Sequence, residues 1–248
     1  MTTRYVDHVM GMPISLVARG RHAADDRARD AWAGVMASLR RVDRVFSTYR
    51  PDSFVSRLGR GEVDLADCPA EVAEVLALGD LAERRSHGAF RVRRAGAGGE
   101  VVLDPSGVVK GWAVERAAVH LEALAETDFC LSAGGDLLCR TLDPDAPPWR
   151  IGVEDPHDPS RLVAVVPVFT GAVATSGAAH RGKHVVDART GRPPIDVASV
   201  TVVTASLTWA DIDATTAYAH DRDAASWLSG QPGRSGLVVW SDMSTTSV

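Results

Sequence analysis

The chain has 248 residues, with 27 Lys plus Arg against 32 Asp plus Glu and a formal net charge of −5. No basic block stands apart, which argues against a partner such as nucleic acid, because polyanion binders draw most of their affinity from clustered Lys and Arg. At 45% hydrophobic and 24% charged residues the composition is that of a folded domain and not a disordered one.

The N-terminus, Met1-Thr-Thr-Arg-Tyr-Val-Asp-His8, has no basic stretch followed by an apolar one, and no apolar run long enough to span a bilayer occurs. The expectation is a cytoplasmic protein with no membrane anchor in this chain. From Asp25 to Val45, Ala28, Trp32, Val35, Met36, Leu39 and Val42 recur at three- and four-residue steps, as on an amphipathic helix. A second helix is expected from Pro69 to Ser86, capped by Asp67, lined by Val72, Val75, Leu76 and Leu81, and stopped at Gly88. Arg93 to Gly99 reads as a loop, and a third helix as Gly111 to Ala125, carried by Val114, Ala118, Leu121 and Leu124. Phe129 to Ser132, Trp149 to Val153, Leu162 to Val168, Ser199 to Thr204 and Leu237 to Trp240 read as strands, with a turn at Leu142 to Pro148 and a frayed tail after Met243.

Helices lead and strands follow, without βαβ alternation, so the expected class is α+β: helices packed on a largely antiparallel sheet, one compact unit over residues 1–248. Cys68, Cys130 and Cys139 are odd in number and widely spaced, suggesting neither a disulfide framework nor a cysteine zinc site.

Five segments carry small and polar residues that packing alone does not require. Asp104-Pro-Ser-Gly-Val-Val-Lys-Gly111 leads into the third helix, where unsatisfied N–H groups beside Lys110 suit a phosphate or make an ordinary turn. The second, Ser132-Ala-Gly-Gly-Asp136, lets backbone approach a ligand or closes a tight turn. Ala174-Thr-Ser-Gly177 ends a strand, and His184-Val-Val-Asp-Ala-Arg-Thr-Gly-Arg-Pro193 follows it. His180 and His184 are four apart, but Gly182 and the strand-like Val185-Val186 disfavour a helical zinc pair and leave a histidine suited to acid–base work or to packing. In Ala210-Asp-Ile-Asp-Ala-Thr-Thr216, a helix would put Asp211 and Thr215 on one face and Asp213 elsewhere. A carboxylate and a hydroxyl suit Mg²⁺, which completes its shell with substrate phosphates and water; an Asp cap with a back-bonding Thr has the same spacing.

Taken in order, Val9-Met-Gly-Met12, Phe46-Ser-Thr-Tyr-Arg-Pro-Asp-Ser53, Gly88-Ala-Phe90, Asp104 to Gly111, Ala133-Gly-Gly-Asp136, Trp149-Arg-Ile-Gly-Val-Glu-Asp-Pro156, Thr175-Ser-Gly177, His184 to Gly191 and Ala210 to Thr215 resemble the ApbE family, the FAD:protein FMN transferases, from about residue 9 to 240. The resemblance implies an α+β fold related to T-folds and Mg²⁺-dependent transfer of FMN from FAD to a threonine of an acceptor flavoprotein, releasing AMP. It also implies metal ligation by Gly107, Asp211 and Thr215, FAD contacts from Met10, Tyr49, Ala89, Phe90, Arg91, Asp104, Lys110 and Val186, and a catalytic role for His184. Arg91 stands where the family has Asp, Ala188 where it has Pro, and Asp213 where it has an apolar residue, the last read as a solvated charge or a second metal's ligand. Two rival readings share the site: an FAD pyrophosphatase yielding FMN and AMP, and a non-catalytic flavin binder.

Overall fold

A computed structural model describes residues 2–95, 101–143, 145–179, 182 and 184–248. The chain opens with a hairpin, β1 (Thr2–Val9) and β2 (Met12–Gly20), before the first helix, so strands lead where helices were expected. The signal is present in β2, where Met12, Ile14, Leu16 and Ala18 alternate inward. Met10 (φ 55°) and Gly11 (φ 71°) make the two-residue turn that pairs Val9 with Met12.

Helix α1 (Asp26–Phe46) is capped by Asp25, whose side chain accepts from the Ala28 N–H. The short α2 (Phe54–Gly59) and a 3₁₀ turn (Leu65–Asp67) lead to α3 (Ala70–Arg85). Asp67 lies in that turn and does not cap α3; Pro69 holds the cap position. A small ribbon, β3 (Arg93–Ala95) with β4 (Val101–Leu103), precedes α4 (Ser106–Ala117) and α5 (Val119–Glu122). The third expected helix thus starts five residues early, at Ser106, so Gly107 and Lys110 lie within it and not in a turn before it.

Strands β5 (Thr127–Ala133) and β6 (Asp136–Arg140) form a hairpin, followed by a second ribbon, β7 (Trp149–Asp155) with β8 (Asp158–Val168). The chain continues through β9 (Gly171–Gly177), β10 (Val197–Thr204), α6 (Leu207–Ala219), α7 (Ala224–Ser229), β11 (Ser235–Trp240) and β12 (Thr245–Ser247). The C-terminal segment is therefore an edge strand paired with β11, not a frayed tail.

Among the described residues, eight strands form one antiparallel sheet in the order β1-β2-β5-β6-β9-β10-β11-β12. Its two faces are buried differently, and the alternation along the central strands shows how. Phe129, Leu131 and Ala133 of β5, Leu138 of β6, and Ala172 and Ala174 of β9 join the main core under the helices. The intervening Cys130, Cys139 and Val173 join Ile151 and Val168 in a second cluster beneath the β7–β8 ribbon. Helix α6 lies against β9 and β10 on the sheet side and α4 on the other, which is why it is buried nearly all round. Its N-terminus is held by α4: Glu115 Oε2 accepts from the Ser206 hydroxyl (2.9 Å), the Thr208 N–H (2.8 Å) and the Thr208 hydroxyl (2.5 Å).

Candidate functional site

Helices α4 and α6 run together because Gly111 has no side chain: a Cβ there would stand 2.6 Å from the Leu207 carbonyl and 3.0 Å from Asp211 Cβ. That closeness lets the Gly111 N–H donate to Asp211 Oδ2 at 3.0 Å. In a regular helix this N–H serves the carbonyl four residues back, that of Gly107. The other oxygen of Asp211 lies 3.2 Å from Lys110 Nζ, which is also 2.6 Å from Asp136 Oδ2. One ammonium therefore sits between two buried carboxylates. Asp136 is placed by the β5–β6 turn, where Gly134 (φ 57°) and Gly135 (φ 98°) allow a two-residue hairpin that seats it opposite Ala133. Its Oδ1 accepts from the Thr175 N–H on β9 at 3.2 Å.

The electrostatics follow from this crowding. Burial pulls the Lys110 ammonium down, but Asp211 and Asp136 outweigh it and hold its pKa above the ordinary lysine range. Burial pushes the Asp211 carboxyl up to about 7; Lys110 opposes the rise and Asp136 adds to it. One turn on, Thr215 Oγ1 lies 3.0 Å from Ser176 Oγ of β9. Asp211 and Thr215 thus share a face of α6, as the spacing predicts.

The Gly88-Ala-Phe90 segment reaches the same place. A Cβ on Gly107 would lie 2.9 Å from the Phe90 ring, so Phe90 packs on the first turn of α4. Ala89 accepts from the Ala188 N–H at 3.0 Å, which ties in the 184–192 loop holding half-buried Val186. Met10 stands at the tip of its hairpin, and the neighbouring Met12 packs over Gly134, so the β1–β2 and β5–β6 turns adjoin.

Other expected residues stand apart from this cluster. Tyr49 is 97% exposed after α1. Arg91 is paired with Glu83 at 2.9 Å, so its positive charge is taken up locally. Asp104 accepts from the Ser106 N–H at 3.1 Å and pairs with Arg94 at 2.8 Å. The Val108 and Val109 N–H groups donate to Pro105 O. The start of α4 has thus spent much of its donor capacity on its own turn, and Lys110 supplies the positive charge there. His184 is exposed, with Nδ1 3.0 Å from the Gly182 carbonyl; His180 lies outside the described residues. Asp213 corrects an expectation: it is not a solvated charge but buried, 2.7 Å from Arg234 Nε and 3.9 Å from Arg85.

Asp136 and Ser176 are the members that sequence reasoning left out of the site. For Asp136 a signal existed, since two glycines between apolar runs mark a tight hairpin and so fix the residue after them. Its partnership with Lys110 is a product of topology alone. Among the described residues no three His, Cys, Asp or Glu gather as a metal cage. Asp211 and Thr215 offer a carboxylate and a hydroxyl on one face of α6, donors that could hold a hard cation together with other oxygens.

The family model that matches this chain is the ApbE family, over residues 10–95 and 93–237. A FAD:protein FMN transferase of Vibrio cholerae serotype O1 is 34% identical over 122 residues, 45% of this chain and 36% of that protein. One from Escherichia coli K12 is 31% identical over 122 residues, 45% and 35% of the two chains. The match thus spans about a third of the length of these curated relatives. Among solved structures, an ApbE protein from Thermotoga maritima superposes with a TM-score of 0.84 at 20% identity, covering 100% of this chain and 97% of the other. The apo flavinyl transferase ApbE of Pseudomonas stutzeri gives 0.83 at 22% identity, over 100% and 95%. These structural likenesses establish the fold, with its antiparallel sheet and helices.

Proposed function

The chain belongs to the ApbE family, and from that premise we propose that it transfers FMN from FAD to a threonine hydroxyl of an acceptor flavoprotein, releasing AMP. The observation that carries the reading is the convergence on the α4–α6 seam of Phe90, Gly107, Lys110, Asp211 and Thr215, segments far apart in the chain. The seam sets one ammonium against two buried carboxylates, an excess of negative charge whose burial is costly unless a proton or a bound cation offsets it.

On this reading Asp211 and Thr215 hold magnesium, with the Gly107 carbonyl contributing. Bound there, the ion supplies positive charge to the FAD pyrophosphate and to the departing AMP. Lys110 faces the same phosphates as a fixed cation, and Asp136 keeps its ammonium in place. Phe90, Ala89, Met10 and Val186 border the flavin dinucleotide, with Tyr49, Arg91 and Asp104 at its margins. His184 takes the proton from the incoming threonine hydroxyl, its exposure leaving it open to a protein acceptor. The compartment proposed is the cytoplasm; among the described residues no helix is long and apolar enough to cross a membrane.

The test is mass spectrometry of a candidate acceptor incubated with the protein, FAD and Mg²⁺. The expected result is one FMN unit on a threonine with equimolar AMP. AMP and FMN released at the same rate without acceptor would replace the transferase with a pyrophosphatase. Bound FAD with no AMP under either condition would replace it with a carrier.

A further inference from the structure

The sequence spacing of Cys130 and Cys139 gives no hint of a pair, yet the fold sets them directly opposite each other on β5 and β6, with their sulfurs 3.4 Å apart. Directly opposed residues of an antiparallel ladder have Cα atoms about 4.5–5.5 Å apart, inside the range of about 4.4–6.8 Å that a disulfide spans. Both thiols lie on the face covered by the β7–β8 ribbon, among Ile151, Val168 and Val173. Cys139 is 1% exposed and Cys130 7%, so Cys130 is the one an outside reagent meets first.

The two sulfurs are chemically unequal. The Cys139 S–H donates to Cys130 Sγ, which lowers the Cys130 thiol and raises that of Cys139. Arg19, stacked on Trp149 at 4.1 Å and paired with Asp128 at 3.0 Å, adds positive charge that favours both thiolates. Exposure and charge therefore agree that Cys130 is the attacking thiol and Cys139 the resolving one.

We propose that Cys130 and Cys139 are an oxidisable dithiol that exchanges with a low-molecular-weight disulfide to give a reversible cross-strand disulfide. The Cys130 thiolate attacks one sulfur of the oxidant R–S–S–R, forming a mixed disulfide and releasing R–S⁻, which takes up the proton that Cys130 gave up. Cys139, as thiolate, then attacks the Cys130 sulfur and expels the second R–S⁻, which is protonated in turn. Two S–H bonds become one S–S bond, and two electrons pass to the oxidant, which leaves as two thiols. The link falls three residues along β6 from Asp136, so its covalent state is set within the strand that supplies a carboxylate to Lys110. The proposal does not depend on the activity assigned above.

The full chain is equilibrated in buffers running from reduced to oxidised glutathione until its composition stops changing, quenched in acid, and alkylated after denaturation. Before alkylation the expected product is about 2 Da lighter than the reduced protein, and after alkylation it carries two alkyl groups fewer, with the Cys130 and Cys139 peptides joined, Cys68 outside the crosslink, and full reversal by dithiothreitol. Cys68 is the internal control, since it sits apart, 3.5 Å from the Asp64 carbonyl. Two results overturn the proposal. One is a pair that stays alkylatable at every ratio, including pure oxidised glutathione. The other is glutathione held on Cys130 with no crosslink forming. Cys139→Ala separates the roles: it should trap the glutathione adduct on Cys130, and failure to do so while wild type crosslinks would reverse the assignment of attacker and resolver.

Discussion

Replacing Lys110 by Met removes the one cation between Asp136 and Asp211 while keeping most of the side chain's volume. Breaking a buried ion pair by deleting one partner costs about 3–5 kcal/mol, and here the deletion strands two carboxylates. The pH dependence gives the sharper test. In the wild type Asp211 is raised to about 7, so the folded state carries an extra proton below that pH and stability declines as pH rises toward it, then levels off. Lys110 is raised above the ordinary lysine range, so its contribution is constant throughout the neutral region and is lost only in strong alkali. Without the ammonium only the Gly111 N–H opposes the rise of Asp211, and the variant holds its extra proton well past pH 7. Its stability should go on falling by about 1.4 kcal/mol per pH unit between pH 7 and 9, while the wild type stays level. Urea unfolding at four pH values, with chelator present to exclude metal, measures both slopes. Parallel curves would refute the idea that Lys110 sets the charge on this cluster.

Further outcomes follow from the same geometry. His184→Ala should leave FAD affinity intact and lower transfer by about 10²–10⁴-fold, checked by flavin fluorescence and AMP release; unchanged turnover removes His184 from the chemistry. Asp211→Ala should abolish both activity and its Mg²⁺ dependence, whereas retained Mg²⁺-stimulated transfer would reject it as a ligand. Asp213→Ala should cost about 3–5 kcal/mol by stranding Arg234, yet leave the Mg²⁺ concentration dependence of the folded fraction unmoved. Gly111→Ala should be destabilising by about 1–3 kcal/mol, because its Cβ meets the Leu207 carbonyl; a neutral thermal shift would mean that α4 and α6 are not in tight contact.

Helices α1 and α3 were legible in the sequence because each has one apolar stripe and one wet face. Helix α6 has no stripe, being covered by sheet on one side and α4 on the other, so only the Asp211–Thr215 spacing hinted at it. The β1 strand was passed over because, at the sheet edge, it carries polar residues on its open side and so shows weak alternation. The site divides in the same manner. Asp211 and Thr215 belong together by helical spacing, a local property. Lys110 and Asp136 meet only because β6 lies beside β9 and α4 beside α6, which no short-range pattern encodes. The Cys130–Cys139 contact was hidden likewise, since it depends on the register of one hairpin.

The grip of Glu115 on the first residues of α6 has a mechanical consequence. Two antiparallel rods bolted at one end behave as a pair of pliers: the bolt is Glu115 and Thr208, and the jaws are the Gly107 end of α4 and the Thr215 end of α6. A force that spread the jaws would bend the rods before it slid them past each other, because three hydrogen bonds to Glu115 tie the closed end. Amide exchange should then be slowest at Thr208 and quicken toward the jaws, and Glu115→Gln, which loosens the bolt, should let both rods slip along their length.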